Sequence, residues 1–288
     1  MKISVLMSVF NSEEYLQTAI DSILSQNFNN FEFIIVNDGS TDNTAKILAS
    51  YNDPRIRIIN NELNIGLTKS LIRGLKIATG QYIARMDADD ISLPTRLEKQ
   101  IDVLENNLNI GLLGTSWFSI DTCGQKLNLS RVYSGPESVH FMCHGSVMIR
   151  KDYFDSVGGY RSIFKYAQDY DLWLRLREVS NVVNIVEPLY MLRVHSKSVS
   201  TTKSYEQDLY AALAIELADE RKKCGRDRLW NATQEETLEI QDQQLNQEMS
   251  KQRKALTHLY ATWGQAAFRL GEYRRAYRYV KQAVQAYP

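Results

Sequence analysis

Long hydrophobic runs are missing from this chain of 288 residues. No apolar stretch approaches the roughly 18 residues that a membrane span requires. No signal-peptide pattern precedes Ile3, where the first strand-like run already begins. Cysteine is scarce: Cys123, Cys143 and Cys224 lie far apart and make neither a disulfide framework nor a CxxC metal knuckle. An odd number of cysteines fits a reducing compartment, so a cytoplasmic location is expected. Charge of one sign is lacking as well. Lys plus Arg and Asp plus Glu both number 34, and a net charge of zero supplies no global field to draw nucleic acid. The dinucleotide loop GxGxxG and the phosphate loop GxxxxGK[ST] are both absent, which excludes the commonest nucleotide sites of α/β proteins.

What is present is an ordinary globular composition, 44% hydrophobic and 24% charged, with room for one large domain or two modest ones. Ile3 to Phe10 is a near-continuous apolar run, as expected of a strand covered on both faces. Ser12 is the expected N-cap of a helix carrying Tyr15, Leu16, Ala19, Ile20, Ile23 and Leu24 along one face. Phe31 to Val36 is a second strand, ending in Asn37-Asp38-Gly39-Ser40-Thr41-Asp42, where Gly39 permits a tight turn and Thr41 or Asp42 can cap the next helix. A third strand follows at Arg55 to Ile59, then a helix over about 67–78, and Gly80 breaks into a central strand. Pro94 fits the first turn of a helix running to about Asn107. Strand character returns at Ile110 to Ile120, 144–150 and Val182 to Leu192, with an irregular polar stretch over 121–138. The alternation predicts an α/β domain: a mostly parallel sheet flanked by helices, with ligands outside the carboxyl ends of the strands.

The stretch Tyr82 to Asp90 runs a short strand into Asp87, Asp89 and Asp90. Three acids within four positions repel one another and are costly to desolvate unless a cation sits among them. Oxygen ligands of this kind suit magnesium or manganese. The same triplet also suits a solvated acidic turn opening the next helix. Asp169, in Gln168-Asp169-Tyr170-Asp171-Leu172-Trp173, stands at a helix start, where an acid can serve simply as a cap.

Together, Ser4 to Asn11, Asn37 to Asp42, Ala84 to Asp90 and Gln168 to Trp173 resemble the family 2 glycosyltransferases of GT-A fold. The resemblance covers roughly residues 1–200, within an expected domain over 1–204. It implies a Rossmann-like domain that moves a sugar from a nucleotide-diphosphate donor, a UDP-sugar first among them, to an acceptor hydroxyl with inversion. It further implies that Asp38 reads the nucleobase, with Phe10 and Asn11 lining the same pocket. Asp87 and Ala88 would sit near the ribose and diphosphate, Asp89 and Asp87 would hold a divalent Mn or Mg ion, and Asp169 would be the catalytic base. His195 matches a position that approaches the metal or the diphosphate in relatives; on its own it suits a loop or core histidine. Two departures stand out. Leu71 occupies the place of a nucleotide-binding Arg, leaving Lys69 or Arg73 to compensate, and Gln168 stands where many relatives have Glu. Acceptors in similar proteins are glycans or glycolipids of the cell surface.

Residues 205–288 lose all strand signals and form an expected helical extension. Residues 232–248 carry acids and no Lys or Arg, whereas 251–288 carry Lys251, Arg253, Lys254, Arg269, Arg274, Arg275, Arg278 and Lys281 against the single acid Glu272. This is either a solvated face or a basic surface for anionic lipid or an acidic partner at the inner face of a membrane. Residues 257–288 resemble one tetratricopeptide repeat, though two ordinary amphipathic helices fit the same spacing. The competing functional reading is an inactive glycosyltransferase-like scaffold acting through this tail. A sugar-phosphate nucleotidyltransferase would need a Gly-rich basic opening loop, which Val9-Phe10-Asn11-Ser12 is not.

Overall fold

The computed structural model describes residues 1–130, 136–196, 198, 202–230 and 252–286, with the backbone alone at 136–138, 252–255 and 285–286. The acidic stretch 232–248, the side chains of Lys251, Arg253 and Lys254, and residues 131–135 of the 121–138 loop lie outside the described residues. The chain divides into two compact units, Met1–Gly159 with Leu176–Ser196, and Tyr160–Arg175 with Lys197–Pro288. Segment 160–175 thus groups with the C-terminal helices, whereas the sequence suggests a boundary near 204.

The first unit is built on β1 (Ile3–Val9), β2 (Phe31–Asn37), β3 (Ile56–Asn60), β4 (Tyr82–Arg85), β5 (Ile91–Ser92), β6 (Ile110–Ile120), β7 (Lys126–Ser130), β8 (Met148–Arg150) and β9 (Asn181–Arg193). Their order is β3-β2-β1-β4-β8-β6-β9-β5, with β7 paired to β6. The β3-β2-β1-β4 half is parallel. Beyond it β8 runs antiparallel between β4 and β6, β9 is parallel to β6, and β5 is antiparallel to β9. The mostly parallel expectation therefore describes the first half, and the whole sheet is mixed.

Helices α1 (Leu16–Leu24), α2 (Thr44–Ala49), α3 (Leu67–Leu75), α4 (Arg96–Asn106) and α5 (Lys151–Ser156) join the strands. The apolar stripe of α1 (Leu16, Ala19, Ile20, Ile23) and that of α4 (Leu97, Ile101, Leu104) meet Val5, Met7, Phe31 and Phe33 in one buried cluster. β1 and β2 are buried almost throughout, which is why they are continuous apolar runs; β3, at the sheet edge, has no fully buried residue.

Local details differ from the sequence reading. α1 begins at Leu16, and Ser12 serves it through its backbone carbonyl while its hydroxyl donates to the carbonyl of Phe10. Asp42 does hold the start of α2, accepting the Thr44 N–H at 2.9 Å. Pro94 lies two residues ahead of α4, and within 144–150 only Met148–Arg150 is strand, because His144–Ser146 forms a 3-10 turn.

In the second unit, α6 (Gln168–Val179) contributes its first turns, joined by α7 (Ser204–Cys224), α8 (Gln252–Arg269) and α9 (Tyr273–Ala286). Asp227 is buried and accepts from Arg161 at 2.9 Å and Arg221 at 2.5 Å, and Asp171 pairs with Arg175 at 2.6 Å. α8 and α9 form a hairpin. Gly271, at φ +74°, supplies the left-handed residue, and the Glu272 N–H closes back on the Ala267 carbonyl at 2.9 Å. Ala266, Ala267, Ala276 and Ala283 are buried in the pair, where small side chains allow close approach.

Glu32 on β2 is nearly buried. It accepts from the Ser4 hydroxyl, the Thr79 N–H and the Thr79 hydroxyl at 2.7 Å each, and pairs with Arg57 at 2.7 Å. Burial alone would raise its pKa; the Thr79, Ser4 and Arg57 hydrogen bonds outweigh burial and hold it at about 2. Because the folded value is depressed, this stabilisation is complete above the unfolded value of about 4.3 and is lost as pH falls toward 2. Glu32→Gln is expected to cost about 3 kcal/mol at pH 7. It should also flatten the pH dependence of urea midpoints between about pH 5 and 2. A wild-type-like slope in the variant would contradict this role.

Candidate active site at the strand ends

The carboxyl ends of β1 and β2 are laced together. Asn11, at φ +48°, accepts the Thr41 N–H at 2.8 Å on its side-chain oxygen, while its own N–H donates to the Ser40 hydroxyl at 3.0 Å. The Ser12 N–H reaches the Thr44 hydroxyl at 2.9 Å, and Glu13 and Asn43 bind across the same gap. Phe10 is left half-exposed beside this brace. Asp38 is buried, and its oxygens accept from the Asn61 amide at 2.7 Å and from the Ile65 and Gly66 N–H groups at 2.9 Å each. Asn61 also donates to the Ser70 hydroxyl and accepts from Arg73 at 2.6 Å. Gly39 must be glycine: it sits at φ +68°, and a Cβ there would stand 2.5 Å from the Leu63 carbonyl carbon.

The acids after β4 form a second cluster. Arg85, wholly buried, pairs with Asp87 at 2.5 Å and donates to the Leu6 and Met86 carbonyls. The Asp87 N–H meets the Tyr190 hydroxyl from β9 at 3.3 Å. Asp89 and His195 are joined, Oδ2 to Nε2, at 2.9 Å. Asp90 is buried and accepts the Arg193 N–H at 2.7 Å on Oδ1, and the Tyr190 hydroxyl favours its charged form. Arg193 gathers the region: its guanidinium donates to the carbonyls of Asp89, Asp121 and Thr122 and lies 4.4 Å over the Tyr15 ring.

The electrostatics follow from this crowding. Burial, then the charges of Asp89 and Asp87, push Asp90 well above the carboxylate range. Burial also raises Asp87, opposed by Arg85. Burial, then Arg85, lowers His144, which leaves a neutral ring to accept from the Arg85 Nε at 3.2 Å.

The structure brings Phe10, Asn11 and Asp38 to one set of loops, and Asp87, Ala88, Asp89 and His195 to the other. Lys69 lies exposed on α3, whereas Arg73 is the cation tied through Asn61 to Asp38, and Leu71 is buried. Asp169 lies in the first turn of α6, in the second unit, with the Tyr170 N–H on its Oδ1 at 2.9 Å. Sequence reasoning missed Arg85, Asn61, Tyr190 and the role of Arg193. A lone Arg in an apolar strand is the signal that would have found Arg85. Asn61 carries none, because its importance arises only when β3 lies beside β2.

A divalent ion implied by the family resemblance is testable against these side chains. Among the described residues no three His, Cys, Asp or Glu side chains converge as a closed metal cage. The Asp89–His195 pair instead joins two side chains that can each ligate a metal. That fits Mg or Mn, which are commonly held by one or two protein ligands and completed by substrate phosphates.

A family model described as Glycosyl transferase family 2 matches residues 4–158. The chain is 36% identical over 234 residues to the putative glycosyltransferase EpsE of Bacillus subtilis, covering 77% of this chain and 83% of EpsE. It is 33% identical over 214 residues to the amylovoran biosynthesis glycosyltransferase AmsE of Erwinia amylovora, covering 70% and 80%. Among solved structures, S. aureus TarS 1-349 in complex with UDP-GlcNAc matches with a TM-score of 0.67 at 16% identity, over 99% of this chain and 92% of that one. That likeness shows a shared fold.

Removing the Asp38 carboxylate takes the acceptor from the Ile65 N–H and one of two acceptors each from the Gly66 N–H, which keeps Asn64, and the Asn61 amide, which keeps Ser70. Asp38→Ala is expected to destabilise the protein by about 3 kcal/mol in urea denaturation; a loss below about 1 kcal/mol would show that these donors find other partners.

Proposed function

The chain belongs to glycosyl transferase family 2 and is a glycosyltransferase; from that premise we propose that it transfers a sugar from a UDP-sugar to a hydroxyl of a cell-surface polysaccharide or glycolipid, with inversion. The donor preference is supported by the UDP-GlcNAc complex of TarS, and the acceptor class by the naming of AmsE for amylovoran biosynthesis. The observation that carries the reading is the Asp89–His195 pair at 2.9 Å, formed where the chain leaves β4 and β9 on one sheet.

In this reading the laced ends of β1 and β2 hold the nucleoside, with Phe10 presenting an aromatic face and the Asp38–Asn61–Arg73 chain fixing the pocket wall. Arg73, a residue of α3, takes over the cationic role left by Leu71. Asp89 and His195 would hold Mn or Mg, which when bound neutralises the charge developing on the departing diphosphate. Arg85 keeps Asp87 oriented, and Arg193 fixes the backbone of the acidic turn so that Asp89 points to one place. Asp169 accepts the proton of the acceptor hydroxyl as it attacks the anomeric carbon, opposite the leaving group, and one displacement of this kind inverts the centre.

Asp169→Asn is expected to lower kcat by at least about 100-fold while leaving donor affinity unchanged; full activity would remove Asp169 from the mechanism. Asp89→Ala is expected to abolish the metal dependence of donor binding measured by calorimetry, and an unchanged metal response would place the ion elsewhere.

A further inference from the structure

The α8–α9 hairpin buries one face of α9 and leaves another bare. Ala276 and Ala283 face α8, and Gly264 of α8 lies close to Val280 and the Ala276 carbonyl. Tyr273, Tyr277 and Val284 on the outer side are 66%, 72% and 61% exposed, and Val280, which also borders Gly264, is 51% exposed. Their spacing of i, i+4, i+7 and i+11 draws one continuous row along the helix, about 17 Å long at 1.5 Å per residue. Phe268, 64% exposed at the end of α8, extends the row by packing its ring on Tyr273 at 5.6 Å. Scattered apolar residues on a surface need no explanation, but five in one line do.

The neighbours of that row are cationic. Arg274, Arg278 and Lys281 are exposed and fall together on the flank next to it. Glu272 is the single acid from residue 251 to the end of the chain. A helix with aromatic and aliphatic residues on one stripe and Arg or Lys beside it fits the boundary of an anionic bilayer. There the apolar stripe enters the acyl region and the cations stay among the headgroups. Tyrosine suits the same depth, with an apolar ring and a polar tip. A second copy of the chain is a poorer occupant. An isologous contact through α9 would bring Arg274, Arg278 and Lys281 near their own counterparts with no acid in the row to pair them.

We propose that the exposed face of α9, formed by Phe268, Tyr273, Tyr277, Val280 and Val284 with Arg274, Arg278 and Lys281, is a docking surface for anionic lipid membranes. It would hold the enzyme where a lipid-linked acceptor is met. The docking stands independently of the sugar specificity and of the catalytic residues.

The test is co-sedimentation of the full chain with vesicles of phosphatidylcholine alone or with about one-third phosphatidylglycerol, at low and high salt. The wild type is expected to bind the anionic vesicles, to bind neutral ones at least about tenfold more weakly, and to be released by salt. Tyr277→Glu with Val284→Glu, and separately Arg274→Glu with Arg278→Glu, should each lower anionic-vesicle binding at least about tenfold. All four positions are exposed, so thermal melts of both variants should match the wild type. Absence of wild-type binding to anionic vesicles, or binding that survives both double substitutions, would overturn the proposal. So would a self-association of the wild type that Tyr277→Glu abolishes while vesicle binding persists, since the row would then be covered by a second copy.

Discussion

Three carboxylates that cannot all be bare set the terms for the first unit. Asp87, Asp89 and Asp90 leave β4 together, and each is met by a different group: the buried guanidinium of Arg85, the imidazole of His195, and the backbone N–H of Arg193. These partners come from β4 itself and from the end of β9, so the sheet must bring β9 alongside before the acids can coexist. Arg96 on α4 adds a further buried cation. It donates to the Arg85 and Gly145 carbonyls at 3.0 and 2.9 Å, and burial lowers its pKa to about 10. A strand end of this kind is expensive to build.

The loops at the other strand ends obey a different rule. There the loops after β1 and β2 brace each other through side-chain to backbone hydrogen bonds of Asn11 and Asp42, and Asp38 does the same for the loop after β3. Asp38 is the anchor of this region, because its oxygens collect the turn that leads into α3. A carboxylate held this firmly makes a rigid wall.

Much of this was legible in the chain. The continuous apolar runs of β1 and β2, the helical stripe of α1 and the emergence of the acids after β4 all follow from periodicity and from the absence of other places for those residues to go. The second half of the sheet was less legible. β5 has two residues and β8 three, too short for any pattern, and the antiparallel insertion of β8 between β4 and β6 leaves no trace in local sequence. The grouping of residues 160–175 with the C-terminal helices likewise depends on distant pairings, Arg161 with Asp227 and Tyr170 with Trp263, that no spacing announces. At the site, carboxylates were found because acids in a cluster are conspicuous. Asn61 and Tyr190 were not found, because a single amide or phenol acquires its role only from the strand beside it.

The most direct test of the account is donor binding by the wild-type protein. Melting curves would be followed as UDP-, GDP- and dTDP-sugars are titrated with manganese or with chelator. A ligand that binds only the folded state raises apparent stability, by about 2.7 kcal/mol at one hundred times its Kd. The account predicts a rise in Tm with a UDP-sugar that the chelator removes. No shift with any of these donors, in protein shown to be folded, would contradict the assignment of the strand-end acids and loops as a nucleotide-sugar site.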